Sequence, residues 1–460
     1  MNIQEAKDSI KDAISAYLSK DDGGNYIIPT NRQRPMMLIG APGLGKTAIM
    51  SQIASEMGIG YVAYTITHHT RQSAIGLPVI EKVDYGGEQY NITRYTMSEI
   101  ISSVYDEIER KGYREGILFI DEVNCVSETL APAMLDLLQN KKFGPHRIPP
   151  GWILVAAGNP PEYNSSAREF DIATLDRIRV IDVEPDAEVW MRYARSAGTH
   201  EAITYYLQIK PQNLLKIERT VNGPVFVTPR AWEDLSTIMK EYDRCGFRTD
   251  LGLISQYIRD PDMAAEFNRY LEFHRKYRRE HDVESIMSGN APSRMTSSDA
   301  EERLAVISVM IGRLNSEAES GMDQIRLLGV LEEALSKGMT LKDTLASLSR
   351  DLEGNITQDT RRGTNYTISF LQSMKGALSD DAVSKQRTAL DSMRNGFNEH
   401  LDNCMAYLLE DFGEGPEAMS LMVGLLGCYN VVMFSEPDDP LYRYNETLLS
   451  NGRNATKGVA

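Results

Sequence analysis

The chain has 460 residues, of which 42% are hydrophobic and 25% are charged, and its formal net charge is −16. This length predicts two or three domains, and the composition excludes a globally disordered chain. The negative charge argues against a protein whose main role is to wrap nucleic acid, and no apolar run reaches the roughly 18 residues of a membrane span.

The beginning of the chain alternates helix and strand patterns. The first segment, "MNIQEAKDSIKDAISAYLSK", predicts an amphipathic helix whose apolar side carries Ile3, Ala6, Ile10, Ile14 and Leu18. "PMMLIG" predicts a short buried strand, a glycine-rich loop follows, and a helix is predicted from Lys46 to Met57. "YVAYTIT" at 61–67 predicts a second strand, and "VIEKVDYGGEQYNITRYT" at 79–96 alternates about a Gly-Gly turn, as hairpins do.

The same alternation continues to residue 185. Helices are predicted in "MSEIISSVYDEIERKG" and "ETLAPAMLDLLQNKK", and strands in "ILFIDE", "WILVAAGNP" and "RVIDVEP". Short apolar strands that alternate with helices predict an α/β fold with a central, mostly parallel sheet covered on both faces. We therefore expect residues 1–185 to form one αβα domain together with the N-terminal helix.

From Asp186 onward the strand patterns fade and helical periodicity dominates, as in "DAEVWMRYARSAG" and "RAWEDLSTIMKEYDRCG". Residues 186–287 are therefore predicted to form a separate helical region. The stretch "SGNAPSRMTSS" at 288–298 predicts a linker or an exposed loop.

The remainder, residues 299–460, predicts a further mainly helical domain. Ser298 and Glu301 have the spacing of a capping box for its first helix. Helices are predicted in "ERLAVISVMIGRLNSEAES" and "DQIRLLGVLEEALSKG", whereas "NGRNATKGVA" at 451–460 lacks apolar periodicity and predicts a mobile tail.

The glycine-rich loop matches the phosphate-binding pattern G-x-x-x-x-G-K-[ST] between a predicted strand and a predicted helix. Glycines let the backbone curl so that several N–H groups converge on phosphate oxygens. Lys46 is expected to reach the outer phosphates and the Thr47 hydroxyl to bind Mg²⁺. A glycine turn that only caps a helix is the alternative. The residues predicted to bind the nucleotide here are Gly40, Ala41, Pro42, Gly43, Leu44, Gly45, Lys46, Thr47 and Ala48.

A second candidate lies in "GILFIDEVN", where Asp121 and Glu122 follow four consecutive apolar residues. A buried strand delivers both carboxylates at its carboxyl end, where ligands bind in parallel sheets. Asp121 is predicted to bind Mg²⁺, mainly through water, and Glu122 to orient or deprotonate the attacking water. A pair of carboxylates that begins a helix is the alternative.

Three further polar positions follow the later strands and helices. Asn159 ends the strand "WILVAAGNP", where its amide could hold the γ-phosphate or the attacking water, although Asn-Pro also favours a simple turn. Arg177 and Arg179 in "LDRIRV", and Arg230 in "VTPRAWEDL", could stabilise the charge that develops in phosphoryl transfer. Taken one at a time, the arginines read as ordinary surface residues.

In chain order, "GAPGLGKT", "ILFIDE", "AAGNPP", "LDRIR" and "TPRA" resemble the Walker A, Walker B, sensor 1, arginine-finger and sensor 2 motifs of AAA+ ATPases. "LDR", "TPRA" and the hairpin at 79–96 resemble more narrowly the MoxR branch of the helix-2-insert clade. That branch is related to magnesium chelatase ATPase subunits and to gas-vesicle and nitric-oxide-reductase activators.

The resemblance implies an AAA+ P-loop domain, a helical lid in residues 186–287, and a ring, usually a hexamer, with ATP and Mg²⁺ between subunits. Arg177 would then act on the neighbouring subunit's γ-phosphate, with Arg179 as the second candidate, and Arg230 would act within its own subunit. It also implies chaperone-like remodelling or activation of a client protein, together with a von Willebrand factor A domain protein.

Two alternatives to this function remain open. A nucleic-acid-associated AAA+ motor or restriction-type NTPase belongs to the same wider clade, but its guanine-selecting asparagine-rich signature is not evident and the charge of −16 is unfavourable. A scaffold that uses ATP only to assemble is the other. Against it stand Glu122, Asn159 and Arg177, all of which are present.

Histidine and cysteine positions predict no metal or redox centre. His68 and His69 are adjacent in the sequence, and a role at a ring pore or subunit face is more plausible for them than metal binding. The cysteines are far apart, which predicts reduced thiols and a cytoplasmic location; they are Cys125, Cys245, Cys404 and Cys428.

Overall fold

The computed structural model describes residues 1–68, 76–164, 166–221, 223–279, 282–290, 300–353, 358–374, 378–413 and 415–457. Several sequence predictions fall wholly or partly outside these residues. They include His69, most of the linker at 288–298, Ser298 of the predicted capping box, and residues 458–460 of the predicted tail.

The chain forms two compact units. The first comprises Met1–Val189 with Thr228–Arg230, and the second comprises Trp190–Val227 with Ala231–Ala460. The helices up to the unit boundary are α1 (Ile3–Leu18), α2 (Lys46–Met57), α3 (Glu99–Lys111), α4 (Ala131–Asn140), α5 (Ile172–Leu175) and α6 (Ala187–Ser196). The strands of the first unit are β1 (Met36–Gly40), β2 (Gly60–Thr65), β3 (Pro78–Tyr85), β4 (Glu88–Tyr95), β5 (Gly116–Asp121), β6 (Lys142–Phe143), β7 (His146–Arg147), β8 (Trp152–Gly158) and β9 (Arg179–Val183).

Five of these strands form one parallel sheet in the order β2-β5-β8-β1-β9. Their near-continuous apolar sequences suit a sheet buried on both faces, and every residue of β8 is buried. Within β5, Leu118 and Ile120 pack on one face with α3 and α4, and Ile117 and Phe119 pack on the other with α1 and α2. The predicted α/β fold with a central parallel sheet is confirmed.

The N-terminal helix packs against this sheet through the predicted apolar side. Asn2 and Glu5 form a capping box at its start, in which each side chain accepts from the other residue's backbone N–H. Ala6, Ile10 and Ile14 are fully buried beside α2 and the sheet. This helix therefore forms part of the first unit's core.

The predicted hairpin at 79–96 is present but does not join the five-stranded sheet. β3 and β4 pair only with each other in an antiparallel register that places Tyr85 opposite Glu88. Gly86 and Gly87 both have positive φ, as the two central residues of a tight hairpin turn of this hand require. Most of its side chains are exposed.

The second unit is mainly helical. Its further helices are α7 (Glu201–Ile209), α8 (Pro229–Cys245), α9 (Leu251–Tyr257), α10 (Pro261–Arg279), α11 (Asp282–Met287), α12 (Ala300–Ser336), α13 (Leu341–Glu353), α14 (Gln358–Ser373), α15 (Asp380–Phe412), α16 (Pro416–Leu426), α17 (Tyr429–Phe434) and α18 (Pro440–Lys457). Its largest apolar core lies between α12 and the helices that follow α14, and includes Leu314, Phe397, Leu401 and Phe434. The helical C-terminal region predicted from the sequence is confirmed.

Three details of this unit differ from the sequence predictions. β10 (Lys216–Thr220) and β11 (Gly223–Val227) form a hairpin in a region that the sequence predicts to be helical. The two helices expected after the linker are one, because Gly321 is held against the ring of Phe434 and allows close packing without ending α12. The backbone of residues 451–457 continues α18 where no helical periodicity was found, and the mobility of this tail stays a prediction.

No helix within the described part of the chain is long and apolar enough to cross a membrane. The same residues contain no group of three or more histidine, cysteine or acidic side chains placed to hold a metal ion. The side chains of His68 and His69 lie outside the described residues, so their role stays a prediction.

Candidate functional site

The carboxyl ends of β1, β5 and β8 lie side by side at one edge of the sheet. Ile39 is the register partner of Gly158, and Ile120 of Ala156. The phosphate loop, Asp121 and Asn159 each follow directly from one of these strand ends. Parallel pairing thus brings together three segments that are far apart in the sequence.

The phosphate loop passes from β1 into α2 through glycines with positive φ. Gly45 is the residue before the helix, with φ of 87°, and no side chain caps the first turn. The N–H groups of that turn are therefore left for an anion, as in other helix N-termini that bind phosphate. A side chain at Gly43 would lie 3.0 Å from Thr228 and 3.3 Å from Arg230.

Lys46 is folded back onto this loop and is only 7% exposed. Its Nζ donates to the carbonyl oxygens of Gly40 and Ala41 at 2.9 and 2.8 Å, and to Asn159 Oδ1 at 3.0 Å. Burial lowers the pKa of Lys46 to about 8; the charge of Asp121 opposes this change and that of Arg230 adds to it. The Lys46 ammonium is bonded to neutral oxygens, which the charged oxygens of a phosphate could replace.

Thr47 and Asp121 form a pair of oxygen ligands. The Thr47 hydroxyl donates to Asp121 Oδ2 at 2.7 Å, while Oδ1 accepts from the backbone N–H of Glu122 at 2.9 Å. A hydroxyl and a carboxylate are the donors that Mg²⁺ prefers, so these residues fit the predicted metal.

Glu122 adopts a backbone conformation that is uncommon for its residue type, with φ of 56°. Its Oε2 accepts from the Thr67 hydroxyl at 2.8 Å. The sequence motifs do not identify Thr67. It lies near Glu122 because β2 pairs with β5, with Thr65 as the register partner of Asp121. The polar end of "YVAYTIT" next to the acidic pair was the available signal.

Asn124 is a second residue that the motifs did not reveal. It is buried, its Nδ2 donates to the Asn159 carbonyl at 2.8 Å, and its Oδ1 accepts from the Asn159 N–H at 3.3 Å. A side chain at Gly158 would lie 2.5 Å from Asn124 Oδ1, so this contact requires glycine there. Asn124 therefore fixes the backbone of Asn159, whose side chain accepts from Lys46.

The predicted arginines are found at different places. Arg230 lies beside the phosphate loop, next to Gly43. Arg177 precedes β9 at the opposite edge of the sheet, where its Nη1 donates to Gln139 Oε1 at 2.6 Å. Arg179 Nη2 donates to the Ser9 hydroxyl on α1 at 2.7 Å. A strand of this length separates the two edges by roughly 16 Å, so Arg177 does not reach its own chain's phosphate loop.

Comparison with known proteins agrees with this geometry. Residues 35–178 match the family described as AAA domain, dynein-related subfamily. This part of the chain is an AAA domain. Such a domain binds nucleotide and is of the ATPase type, and its match spans the phosphate loop, both carboxylates, Asn159 and Arg177.

The chain is also similar to a crystal structure from Cytophaga hutchinsonii whose protein is described as a candidate ATPase, with 17% identity and a TM-score of 0.24. That match covers 42% of this chain and 56% of the other, and at this TM-score it supports no inference about function. No curated protein matches the chain. Arg179 and Arg230 lie beyond the matched AAA residues, and the narrower MoxR resemblance stays a prediction.

Proposed function

We propose that the chain is an ATP-hydrolysing AAA+ ATPase of the MoxR type, which forms a ring, usually a hexamer, and remodels or activates a client protein. The observation that carries the hydrolytic part is the convergence of Lys46, Thr47, Asp121, Glu122 and Asn159 at one edge of the sheet. Residues 186–287 serve as its helical lid, and residues 299–460 form the domain that selects what is remodelled.

Each residue at this edge has a distinct part in the proposed reaction. Lys46 exchanges its bonds to the loop carbonyls for the outer phosphates of ATP. Thr47 and Asp121 supply ligands for Mg²⁺, which when bound neutralises charge on the phosphate oxygens. Glu122 accepts a proton from the attacking water, and Thr67 orients its carboxylate. Asn159 positions the γ-phosphate or the water.

The arginines extend the site to a second subunit. Arg177 acts on the nucleotide of a neighbouring copy, because it lies at the edge of the sheet opposite its own phosphate loop. Arg230 acts within its own chain, since it lies beside Gly43. Arg179 is the second candidate for the trans-acting role. Both guanidinium groups are hydrogen-bonded within the chain, but Arg179 lies beyond the matched residues 35–178.

The partner part of the proposal rests on the resemblance of "LDR", "TPRA" and the exposed β3–β4 hairpin to the MoxR branch. A von Willebrand factor A domain protein is the partner that this resemblance suggests. Nucleic acid is a less suitable partner for a chain with a charge of −16.

The first experiment compares Glu122→Gln with the wild type in Mg-ATP. We expect turnover to fall by about 100-fold or more, the loss typical of removing a general base. Particle mass and co-purifying proteins are measured in parallel. Glu109→Gln, which removes one exposed carboxylate on α3, is the matched control. Unchanged turnover in Glu122→Gln would contradict the catalytic assignment.

A mixing experiment tests the trans-acting arginine. Arg177→Ala and Glu122→Gln proteins, each inactive alone, are combined before assembly. If Arg177 acts on its neighbour, some interfaces in the mixture contain both intact residues, and part of the turnover returns. A mixture that stays inactive, or a particle that remains monomeric with ATP, would contradict the arrangement. Arg179→Ala is the control variant.

A further inference from the structure

A second site lies at the amino ends of β1, β8 and β9, at the edge of the sheet opposite the phosphate loop. An open cleft of about 980 Å³ is found there, which is at the large end of typical small-molecule sites. It is lined by residues 30–35, 139–141, 147–150 and 176–177, together with Tyr105. These segments come from four loops that only the order of the sheet brings together.

The cleft is strongly basic in an acidic protein. One lining residue is a carboxylate, Asp176, and five are cations: Arg32, Arg34, Lys141, Arg147 and Arg177. The chain as a whole has a charge of −16, so this cluster is a local exception. Clefts lined by one sign of charge concentrate ligands of the opposite sign.

The hydrogen bonds that the structure shows for the cations of the cleft go to neutral oxygens. Arg177 donates to Gln139, and Arg147 Nη1 donates to the Asn140 carbonyl at 3.5 Å. Among the residues that the structure describes, none of the five cations forms a salt bridge within 4.0 Å. Hydrogen bonds from Thr174 lower the pKa of Asp171, an exposed carboxylate that caps α5, and the charge of Arg177 adds to this change. The guanidinium groups therefore retain donors for a ligand.

Lys141 gives the independent reason to expect an anion. It is only 7% exposed, and its Nζ has one recorded partner, the amide oxygen of Gln33 at 3.4 Å. Gln33 is itself fixed, because its Nε2 donates to the carbonyls of Tyr17 and Ile28 at 2.9 and 3.0 Å. Burial lowers the pKa of Lys141 to about 8, with no carboxylate opposing the change. A buried ammonium with a single neutral partner is costly, and an anion would satisfy it.

We propose that this cleft is a second phosphate-binding site, which takes a polyphosphate group through its arginines and Lys141. Arginine forks match phosphate oxygens in pairs, and lysine adds a point charge. The exposed ring of Tyr105 and the exposed Pro150 offer apolar surface for the rest of the ligand. The polyphosphate belongs to a free phosphorylated compound, a source that is independent of the proposed function.

The first arm of the test uses inorganic tripolyphosphate and the chain with Lys46→Ala, so that the phosphate loop is disabled. Isothermal titration at about 50 mM salt is suitable, since such contacts weaken as salt rises. We expect binding that weakens by about 10-fold or more in Arg32→Ser with Arg34→Ser, because both side chains are exposed and each supplies charge-assisted bonds. The double variant Arg110→Ser with Arg361→Ser changes the charge equally outside the cleft and should bind as before.

Lys141→Met separates binding from folding. It removes the buried charge and keeps the length of the side chain, so the thermal midpoint should be maintained or raised. Tripolyphosphate binding should nevertheless weaken by about 5-fold or more, as expected when one charge-assisted bond to phosphate is removed. A variant that binds as tightly as its parent would show that Lys141 is only structural and would count against the proposal.

The second arm tests the nucleotide of a second copy. Particle mass is measured for Glu122→Gln with Mg-ATP, with and without the Arg32 and Arg34 substitutions. Assembly that depends on these arginines, without binding of free tripolyphosphate, would place the cleft at the subunit interface of the proposed ring and would overturn the proposal. If neither tripolyphosphate binding nor assembly depends on the cleft, the proposal is wrong. A chain that neither hydrolyses ATP nor assembles would refute the proposed function. The tripolyphosphate titration would still test whether the cleft binds phosphate.

Discussion

Lys46 and Lys141 are equally buried but differently surrounded. Each is 7% exposed, and burial lowers the pKa of each to about 8. Lys46 donates to two carbonyls and an amide and feels the charge of Asp121, whereas Lys141 has one amide oxygen at 3.4 Å. A lowered pKa therefore reports mainly burial and does not show how a buried ammonium is hydrogen-bonded. The hydrogen-bond partners show which ammonium is satisfied by its own chain and which needs a ligand.

The two lysines also resemble each other in how their amide partners are held. Asn159 is fixed by Asn124, and Gln33 is fixed by two backbone carbonyls. In both regions a neutral amide directs its oxygen at a buried ammonium. Five predictions test how far this similarity extends, beginning with the largest expected effect.

Replacing Lys46 with methionine should give the largest change. Turnover of ATP is expected to fall by about 100-fold or more, the loss typical of removing a preorganised charge from a phosphoryl-transfer site. Lys342→Met, which removes an exposed lysine on α13, should stay near the wild-type rate. Steady-state phosphate release measures the turnover of both variants. Equal rates would show that Lys46 has no part in ATP hydrolysis.

Asn124→Ala tests whether the amide beside Lys46 must be held in place. Loss of both bonds to the Asn159 backbone should lower kcat by about 10-fold with little change in KM, and should destabilise the first unit by about 1 to 3 kcal/mol. Asn91→Ala on the exposed hairpin is the control. A change in stability alone, with normal kcat, would reduce Asn124 to a structural residue.

Lys141→Met should stabilise the first unit. At about pH 7 we expect the free energy of unfolding to rise by about 1 to 3 kcal/mol, because a buried charge is removed. The folded pKa lies below the ordinary value of 10.5, so the wild type carries the full penalty below about pH 8 and loses it as pH rises toward 10.5. The advantage of the variant should therefore shrink over that range, as urea unfolding at several pH values would reveal.

Lys46→Met, measured in the same way, sharpens the contrast. The free energy of unfolding should rise less in Lys46→Met than in Lys141→Met. The reason is that Lys46→Met leaves the carbonyls of Gly40 and Ala41 without their donor. Equal gains in the two variants would mean that the partners of Lys46 contribute nothing to its stability.

Arg179→Ala should give the smallest effect. Its guanidinium is exposed and bonded to the Ser9 hydroxyl, so its loss should change turnover by less than about twofold and stability by about 0.5 to 1.5 kcal/mol. Arg177→Ala, which removes a cation from the cleft, should reduce turnover far more. If Arg179→Ala reduced turnover more than Arg177→Ala, the trans-acting role would belong to Arg179.

The sequence by itself identified the residues of the candidate site in the AAA domain, because these residues lie in short, recognisable segments. A phosphate loop needs only a few glycines, a lysine and a threonine in a row, and Asp121 and Glu122 follow one apolar strand. Alternating strands and helices predict a parallel sheet, and a parallel sheet places the carboxyl ends of its strands at one edge. The predicted convergence of Lys46, Asp121 and Asn159 follows from these local patterns.

The tertiary structure alone decided Thr67, Asn124 and the basic cleft. Thr67 reaches Glu122 only because β2 pairs with β5, and Asn124 meets Asn159 only because β5 pairs with β8. The β10–β11 hairpin and the uninterrupted α12 were missed for the same reason, since pairing and packing outweighed weak local patterns. The cleft gathers Arg32, Lys141 and Arg177 from distant segments of the chain, and of these only Arg177 belongs to a motif. Local propensity acts over a few residues, whereas these contacts depend on which distant strands become neighbours.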